Sequence, residues 1–353
     1  MMSPHGGPMG NIPTELSVPT LELVDSPRSG SHGSAGRDWV GIAANAHSGI
    51  GSGRKRVERL VQELERLGLS GRVAWTQEAR SALVAHARAD EQCRCLVAVG
   101  GDGTVAALVN ERPAVPVTVL RAGTENLFAH HFGMSGKPRR VAAMIAAGRA
   151  ARLDLGETNG RRFALMAGIG FDADVVTRHH LARLGRAGVP RPTNRAAYVE
   201  PVLRSSLEYR FPPLTVRIAD PGREEELVGT TVFIFNLPRY ALGLPIAPDA
   251  QGDDGWLDLV IFRNAGPLNA LRYLWMIWRG IHLKKGGVEH RRVCQLSVTC
   301  PEPVPVQLDG DPAGTLAPDA TGAPWTVRVL PRAIDVMVPA SYLRQARADV
   351  PST

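Results

Sequence analysis

The residues best suited to chemistry stand in short glycine-rich and acidic runs. Gly100-Gly101-Asp102-Gly103-Thr104 follows an apolar stretch and opens a segment of helical character. Glycines at a strand-to-helix turn let the backbone approach a ligand, and the first turn of the helix offers unpaired N–H groups to phosphate. An aspartate in such a turn suits phosphate only if a metal ion or a hydroxyl stands between them. That favours a nucleotide kinase site over a bare anion site, with a plain βα turn as the bland reading. A second run, from Asn45 through Ser48 and Gly49 to Gly53, has glycines at every second position. It fits neither G-x-x-x-x-G-K-[ST] nor G-x-G-x-x-G, so alone it is a phosphate loop or a flexible connection. A third run is Gly123-Thr124-Glu125-Asn126. Three such turns after strands of one sheet would converge at its carboxyl edge, where ligands bind in open α/β folds.

Two acidic runs lie further on. Asp253-Asp254-Gly255-Trp256 gathers carboxylate and carbonyl oxygens, the hard ligands Mg²⁺ prefers, and is equally a hairpin turn. In Leu308-Asp309-Gly310-Asp311-Pro312, the glycine permits a tight turn and the proline restricts the next φ, so a carboxylate could be aimed. This too is hairpin chemistry. The pairs His130-His131 and His179-His180 point different ways on a helix, which argues against a shared metal. Cys93, Cys95, Cys294 and Cys300 lack partners at zinc spacing. Arg139-Arg140, Arg161-Arg162 and Arg291-Arg292 read as solvated loop charges, with one pair open to phosphate.

The elements that must position these groups fall into two styles. WVGIAAN, from Trp39, reads as a buried strand, and Val57, Leu60, Val61, Leu64 and Leu67 line one helical face. Strands at 73–75, 95–99 and 117–120 alternate with helices at 79–88, from Thr104, and around Val141, Met144 and Ile145. This predicts an α/β nucleotide-binding domain with a parallel sheet over residues 37–150. Beyond it, FALMAG, LTVRIA, TTVFIFNL, LDLVIF, CQLSVTC, PVQLDG, WTVRVL and IDVMVP are strand-like and separated by turn signals. Helical inserts are expected at 173–184, 195–206 and 268–283. Residues 151–340 therefore read as a second β-rich domain, mostly antiparallel and sandwich-like. Its last strand either stays there or returns to the first domain. Residues 1–36, rich in Pro, Gly and Ser, read as a disordered tail without the apolar centre of a secretory signal.

The insert at 268–283 carries Leu268, Leu271, Trp275 and Trp278 on one face, with Arg272, Arg279, Lys284 and Lys285 beside it. Tryptophan flanked by cations is the composition of an interfacial helix; the other reading is a core helix covering the second sheet.

Composition narrows the classes. A chain of 353 residues suggests two domains, and 44% hydrophobic with 21% charged residues excludes wholesale disorder. Four cysteines exclude a disulfide framework. No apolar run reaches the length of a bilayer span. The net charge of +7 suits anionic partners: nucleotide phosphates, nucleic acid or an anionic membrane surface.

NAHSG, GGDGT, GTENLFA, GIGFDADV, APDAQGDDGWLDLV and VQLDGDPAG occur in that order. Together they resemble the diacylglycerol-kinase catalytic family, which includes bacterial lipid kinases and sphingosine kinases, from about Trp39 to Pro339. The resemblance implies an α/β nucleotide domain, a β-rich lipid domain and an active site in the cleft between them. It implies transfer of the γ-phosphoryl of Mg·ATP to a hydroxyl of a diacylglycerol-like or sphingoid lipid. ATP is expected at Asn45, Ser48, Gly49, Thr76, Gly101, Gly103, Thr104 and Thr124, to which the turns add Gly100, Gly123 and Asn126. Asp102 matches the aspartate linked to metal and phosphates, and Asp311 matches the general base. Asp254, the backbone of Trp256 and the carbonyl of Gln251 match a structural Mg²⁺ site. The implied setting is cytoplasmic, with peripheral membrane contact and no nucleic acid.

Three departures stand out. Val105-Ala106-Ala107 replaces an apolar residue, Asn and Glu; Asp311 replaces the Glu of many relatives; Glu125 replaces a small residue. A soluble metabolite kinase of the NAD kinase type, which shares GGDGT, and a non-catalytic nucleotide- or lipid-binding relative are the alternatives.

Overall fold

The computed structural model describes residues 38–44, 53–184, 195–318 and 323–348. The first part alternates strictly: β1 (Trp39–Ala44), α1 (Gly53–Glu65), β2 (Ser70–Ala74), α2 (Gln77–Ala89), β3 (Cys93–Gly100), α3 (Asp102–Asn110) and β4 (Val117–Arg121), followed by α4 (Leu127–His131) and α5 (Pro138–Ala147). The strands pair in parallel in the order β2-β1-β3-β4. Every residue of β1 is buried, as expected for a strand covered on both faces. Val57, Leu60 and Leu64 of α1 pack against Val40, Ile42 and Cys95. Leu83, Val84 and Ala87 of α2 pack against Trp39, Ala43 and Leu96 on the opposite face.

The second part contains β5 (Ala150–Thr158), β6 (Arg161–Phe163), β7 (Met166–Gly170), α6 (Phe171–Arg183), α7 (Val199–Glu208), β8 (Leu214–Asp220), β9 (Arg223–Gly229), β10 (Thr231–Phe235), β11 (Leu257–Phe262), α8 (Pro267–Trp278), β12 (Val288–Val293), β13 (Gln295–Thr299), β14 (Val304–Leu308), β15 (Asp311–Leu316), β16 (Trp325–Met337) and α9 (Ala340–Ala348). One sheet, β12-β11-β10-β7-β14-β15, is wholly antiparallel. The other extends the parallel strands through β16 into antiparallel β13, β8 and β9, with β5 and β6 alongside. Ile169, Val232 and Ile234 of one sheet meet Val216, Leu296 and Val298 of the other in a shared core, which makes the second part a sandwich.

Three details depart from the linear reading. WTVRVL and IDVMVP form one strand, β16, whose end returns to the parallel sheet at Val336, opposite Val117. Its register breaks between Leu330 and Ile334, where Arg332 has φ of 50° and donates its N–H to Asp154 Oδ1 at 2.6 Å. FALMAG, read as one strand, divides between sheets: β6 belongs to the first and β7 to the second. At the crossing, the N–H groups of Ala164, Leu165 and Met166 donate to the Asp309 carboxylate at 2.8, 2.8 and 3.0 Å. Buried N–H groups between strands need such an acceptor. α8 also stops at Trp278 rather than continuing to 283, because Gly280 takes the left-handed conformation beyond it.

Candidate active site

The first and third glycine turns touch backbone to backbone. A Cβ on Gly123 would stand 2.4 Å from the Cα of Gly101, so neither position tolerates a side chain. A Cβ on Gly100 would likewise strike Thr104 Oγ1 at 2.1 Å. Asn126, with φ of 51°, accepts from the Gly123 N–H at 3.0 Å and donates to the Gly123 carbonyl at 2.6 Å. Asp102 accepts from the N–H groups of Leu127 and Phe128, both at 3.0 Å, at the start of α4. Burial raises its pKa against those two bonds. Asp102 thus fastens the first turn to the start of α4, and Asn126 closes the third turn on itself. Thr124 lies in the same third turn; Asn45, Ser48 and Gly49 lie outside the described residues.

A cleft beside these turns is lined by Thr76, Gly103, Thr104, Trp75, Gln77 and Arg80. Thr76 caps α2 by accepting from the Ala79 N–H at 3.2 Å. The Arg54 guanidinium lies 5.3 Å from the centre of the Trp75 ring. Ala107, the third residue after GGDGT, also lines this cleft and presents a methyl group to it.

Asp311, the first residue of β15, lies against the glycine turn: its Oδ2 is 3.2 Å from the place a Cβ on Gly103 would occupy. Burial raises its pKa, and the charges of His180, Arg161 and Arg183 oppose that rise. A carboxyl near the guanidinium charges of Arg161 and Arg183, beside a phosphate-type turn, is suited to accept a proton near an anionic group. Arg161 belongs to one of the arginine pairs read as solvated or open to phosphate. Asp309, its neighbour in the run, is wholly committed to the three N–H groups at the sheet crossing, and burial raises it to about 6.

Behind Asp311 lies an apolar cavity, walled by Phe171, Val175, Phe233, Ile246, Phe262 and Ile277. Asp172 also lines it. The Tyr240 hydroxyl donates to Asp172 Oδ1, and Gln307 Nε2 donates to Asp172 Oδ2 at 2.8 Å. Gln307 Oε1 accepts from the Gly310 N–H at 2.9 Å. One amide therefore joins the carboxyl of the cavity to the turn that presents Asp311. Gly168 makes room for the pair, since a Cβ there would lie 2.4 Å from Asp172 Oδ2. Burial raises Asp172 to about 6, with the bonds from Tyr240 and Gln307 opposing.

Tyr198 marks where the groups converge. Its hydroxyl pKa is raised by burial, lowered by Arg183 and raised again by the charges of Glu125, Asp172 and Asp311. Its ring stacks on His179 at 3.8 Å. Glu125 Oε2 accepts from the Leu242 N–H at 3.1 Å, which ties the third turn to the loop that carries Tyr240. Asp172 stood inside GIGFDADV without an assigned role, whereas Tyr240 and Gln307 carry no local signal at all.

The DDGW turn was tested as a Mg²⁺ site. Asp254 Oδ1 accepts from the Trp256 N–H at 3.0 Å, and its Oδ2 forms an ion pair with Arg292. Gly255 donates its N–H to Asp154 Oδ2 at 2.6 Å, so the turn is anchored by a buried aspartate. Among the described residues no group of three His, Cys, Asp or Glu could hold a metal ion. Asp254 is thus paired with Arg292 and the Trp256 N–H, and a Mg²⁺ at Gln251, Asp254 and Trp256 would have to displace the guanidinium.

Comparison with known proteins gives a consistent picture. Residues 40–158 match the diacylglycerol kinase catalytic domain. Residues 167–338 match the YegS C-terminal NAD kinase beta sandwich-like domain. A diacylglycerol kinase of Mycobacterium tuberculosis is 31% identical over 244 residues, 67% of this chain and 76% of that one. A diacylglycerol kinase of Bacillus subtilis is 27% identical over 298 residues, 78% of this chain and 90% of its own. A crystal structure of a diacylglycerol kinase from Bacillus anthracis superposes with a TM-score of 0.61 at 16% identity, covering 88% of this chain and all of that one. At that identity the likeness establishes the fold alone.

Proposed function

This chain belongs to the diacylglycerol kinase catalytic family, and from that premise we propose that it transfers the γ-phosphoryl of Mg·ATP to a lipid hydroxyl. One observation carries the reading: a carboxylate, Asp311, lies against the Gly103 turn of the cleft, and Gln307 links its hairpin turn to Asp172 in the wall of an apolar cavity. Phosphoryl transfer needs neutralised phosphates, an aligned hydroxyl and a place for its proton. The backbone of Gly101 to Gly103 offers N–H groups at the start of α3. Arg161 and Arg183 supply positive charge near Asp311. The apolar cavity takes the lipid chain, and Asp172 with Tyr240 gives its headgroup hydrogen-bonding partners. Asp311 then accepts the hydroxyl proton as the oxygen attacks phosphorus. Its pKa, raised by burial, brings the carboxylate closer in basicity to that task.

Mg²⁺ enters with the nucleotide, as part of the substrate. The apolar lining disfavours a dinucleotide acceptor, whose phosphates would find no partners there. Among the described residues no helix is long and apolar enough to cross a membrane, so the enzyme meets its substrate by peripheral contact. The test is transfer of labelled phosphate from ATP to diacylglycerol, sphingosine, ceramide and NAD, presented in parallel. Lipid phosphorylation without NAD phosphorylation supports the reading; the reverse pattern makes the chain a soluble-metabolite kinase.

A further inference from the structure

The helices α7 and α8 pack against one another and leave a continuous apolar face turned outward. On α8, Leu268, Trp275 and Trp278 are 82%, 55% and 71% exposed, and on α7, Leu203 and Leu207 are 57% and 80% exposed. Single exposed apolar residues are ordinary, but clustered ones including two tryptophans mark an interaction surface. Tyr273, Met276 and Ile277 fill the inner side of α8, so the exposed residues are not displaced core.

Two further observations say what covers this face. First, Leu271 and Leu274, both largely exposed, also line the apolar cavity, together with Val202 and Ser206 of α7. The cavity therefore opens on this face. Second, the charge on α8 and the turn after it has one sign, while Glu200 and Glu208 of α7 pair with Arg204. No acidic residue occurs from 259 to 288, whereas Arg272, Arg279, Lys284 and Lys285 are all exposed. A second copy of the chain, docked face to face, would bring two such cationic rims together. An anionic bilayer would instead bury the tryptophans at its interface and pair the cations with headgroups.

We propose that the α7–α8 face docks on an anionic lipid bilayer and places the mouth of the cavity against the acyl layer. The lipid-kinase reading supplies only the identity of what enters; the docking surface stands on exposure and charge. A lipid could then slide from the bilayer into the cavity without crossing water.

The test is co-sedimentation of the full chain with vesicles of phosphatidylcholine alone, and of phosphatidylcholine mixed equally with phosphatidylglycerol, without ATP. The parent should bind the mixed vesicles and bind phosphatidylcholine far more weakly. Trp275→Ser with Trp278→Ser should weaken binding roughly tenfold or more. Replacing Arg272, Arg279, Lys284 and Lys285 by Gln should abolish the preference for the anionic vesicles. Turnover of a short-chain lipid dissolved as monomers reports separately on folding and catalysis, and should survive in both variants. Absent vesicle binding, binding unchanged in both variants, or a tryptophan-dependent dimer that ignores vesicles would overturn the proposal. A parent that binds anionic vesicles through these residues yet phosphorylates no lipid would sink the kinase reading and leave the docking surface standing.

Discussion

Asp311 and Gly103 approach so closely that a single methyl group at Gly103 would stand 3.2 Å from Asp311 Oδ2. The contact joins the glycine turn of the parallel sheet to a hairpin of the antiparallel sheet, and it depends on glycine for lack of bulk. Gly103 is the second residue of α3, where alanine is a better helix former by up to about 1 kcal/mol. Gly103→Ala should therefore keep or raise the melting temperature while it displaces the carboxylate. A loss of turnover of about tenfold is expected for displacement of a few tenths of an ångström. Parent-like turnover in a folded variant would show that Asp311 is not held against this turn during catalysis.

Asp309 and Asp311, two residues apart, should fail in different ways. Asp309→Ala removes the acceptor for the Ala164, Leu165 and Met166 N–H groups at the point where the chain changes sheets. Leaving buried donors unpaired costs about 1–3 kcal/mol each, so chemical denaturation should show a loss of several kcal/mol or no folded protein. If the variant melts like the parent, the crossing is held by other contacts.

Asp172 makes a pH-dependent contribution of calculable sign. Burial raises its pKa to about 6, whereas in the unfolded chain it titrates near ~3.9. Between those values the folded protein retains a proton that the unfolded chain has released. Its contribution to stability is thus greatest below about pH 4 and is lost as pH rises through 6. Asp172→Asn keeps both hydrogen bonds if the Tyr240 hydroxyl reverses to accept. The stability of Asp172→Asn relative to the parent should then rise between pH 4 and pH 8, by on the order of 2 kcal/mol. Denaturant midpoints measured for both proteins at the two pH values test this, and a constant difference would remove Asp172 as the titrating group.

Arg292 in the place expected of a metal leads to a stability test. A cation that binds only the folded state raises its stability in proportion to occupancy. Because Asp254 is already paired with Arg292 and the Trp256 N–H, millimolar Mg²⁺ should leave the melting temperature of the nucleotide-free protein unchanged relative to chelator. A saturable rise with Mg²⁺ would mean that the ion displaces the guanidinium.

The fold was legible where period and burial agree. Strands such as β1 and β3 are continuous apolar runs covered on both faces, and α1 shows its buried stripe at helical spacing. The glycine turns were legible because only glycine allows two backbones to approach as Gly101 and Gly123 do. What escaped was carried by long-range polar pairing. The division of FALMAG between two sheets depends on Asp309, more than 140 residues away, and the break in β16 depends on Asp154. The cavity floor needs Asp172, Tyr240 and Gln307 from three separate segments. The partners of Asp102 were hidden for a related reason: they are N–H groups on α4, 25 and 26 residues further on.

The most direct test of the account is the phosphate transfer rate of Asp311→Asn beside the parent, with diacylglycerol in mixed micelles and ATP affinity measured on the same preparations. The account predicts transfer by the parent and a loss of about a hundredfold to ten-thousandfold in kcat for the variant, with ATP affinity unchanged. Equal rates in the two proteins would contradict it.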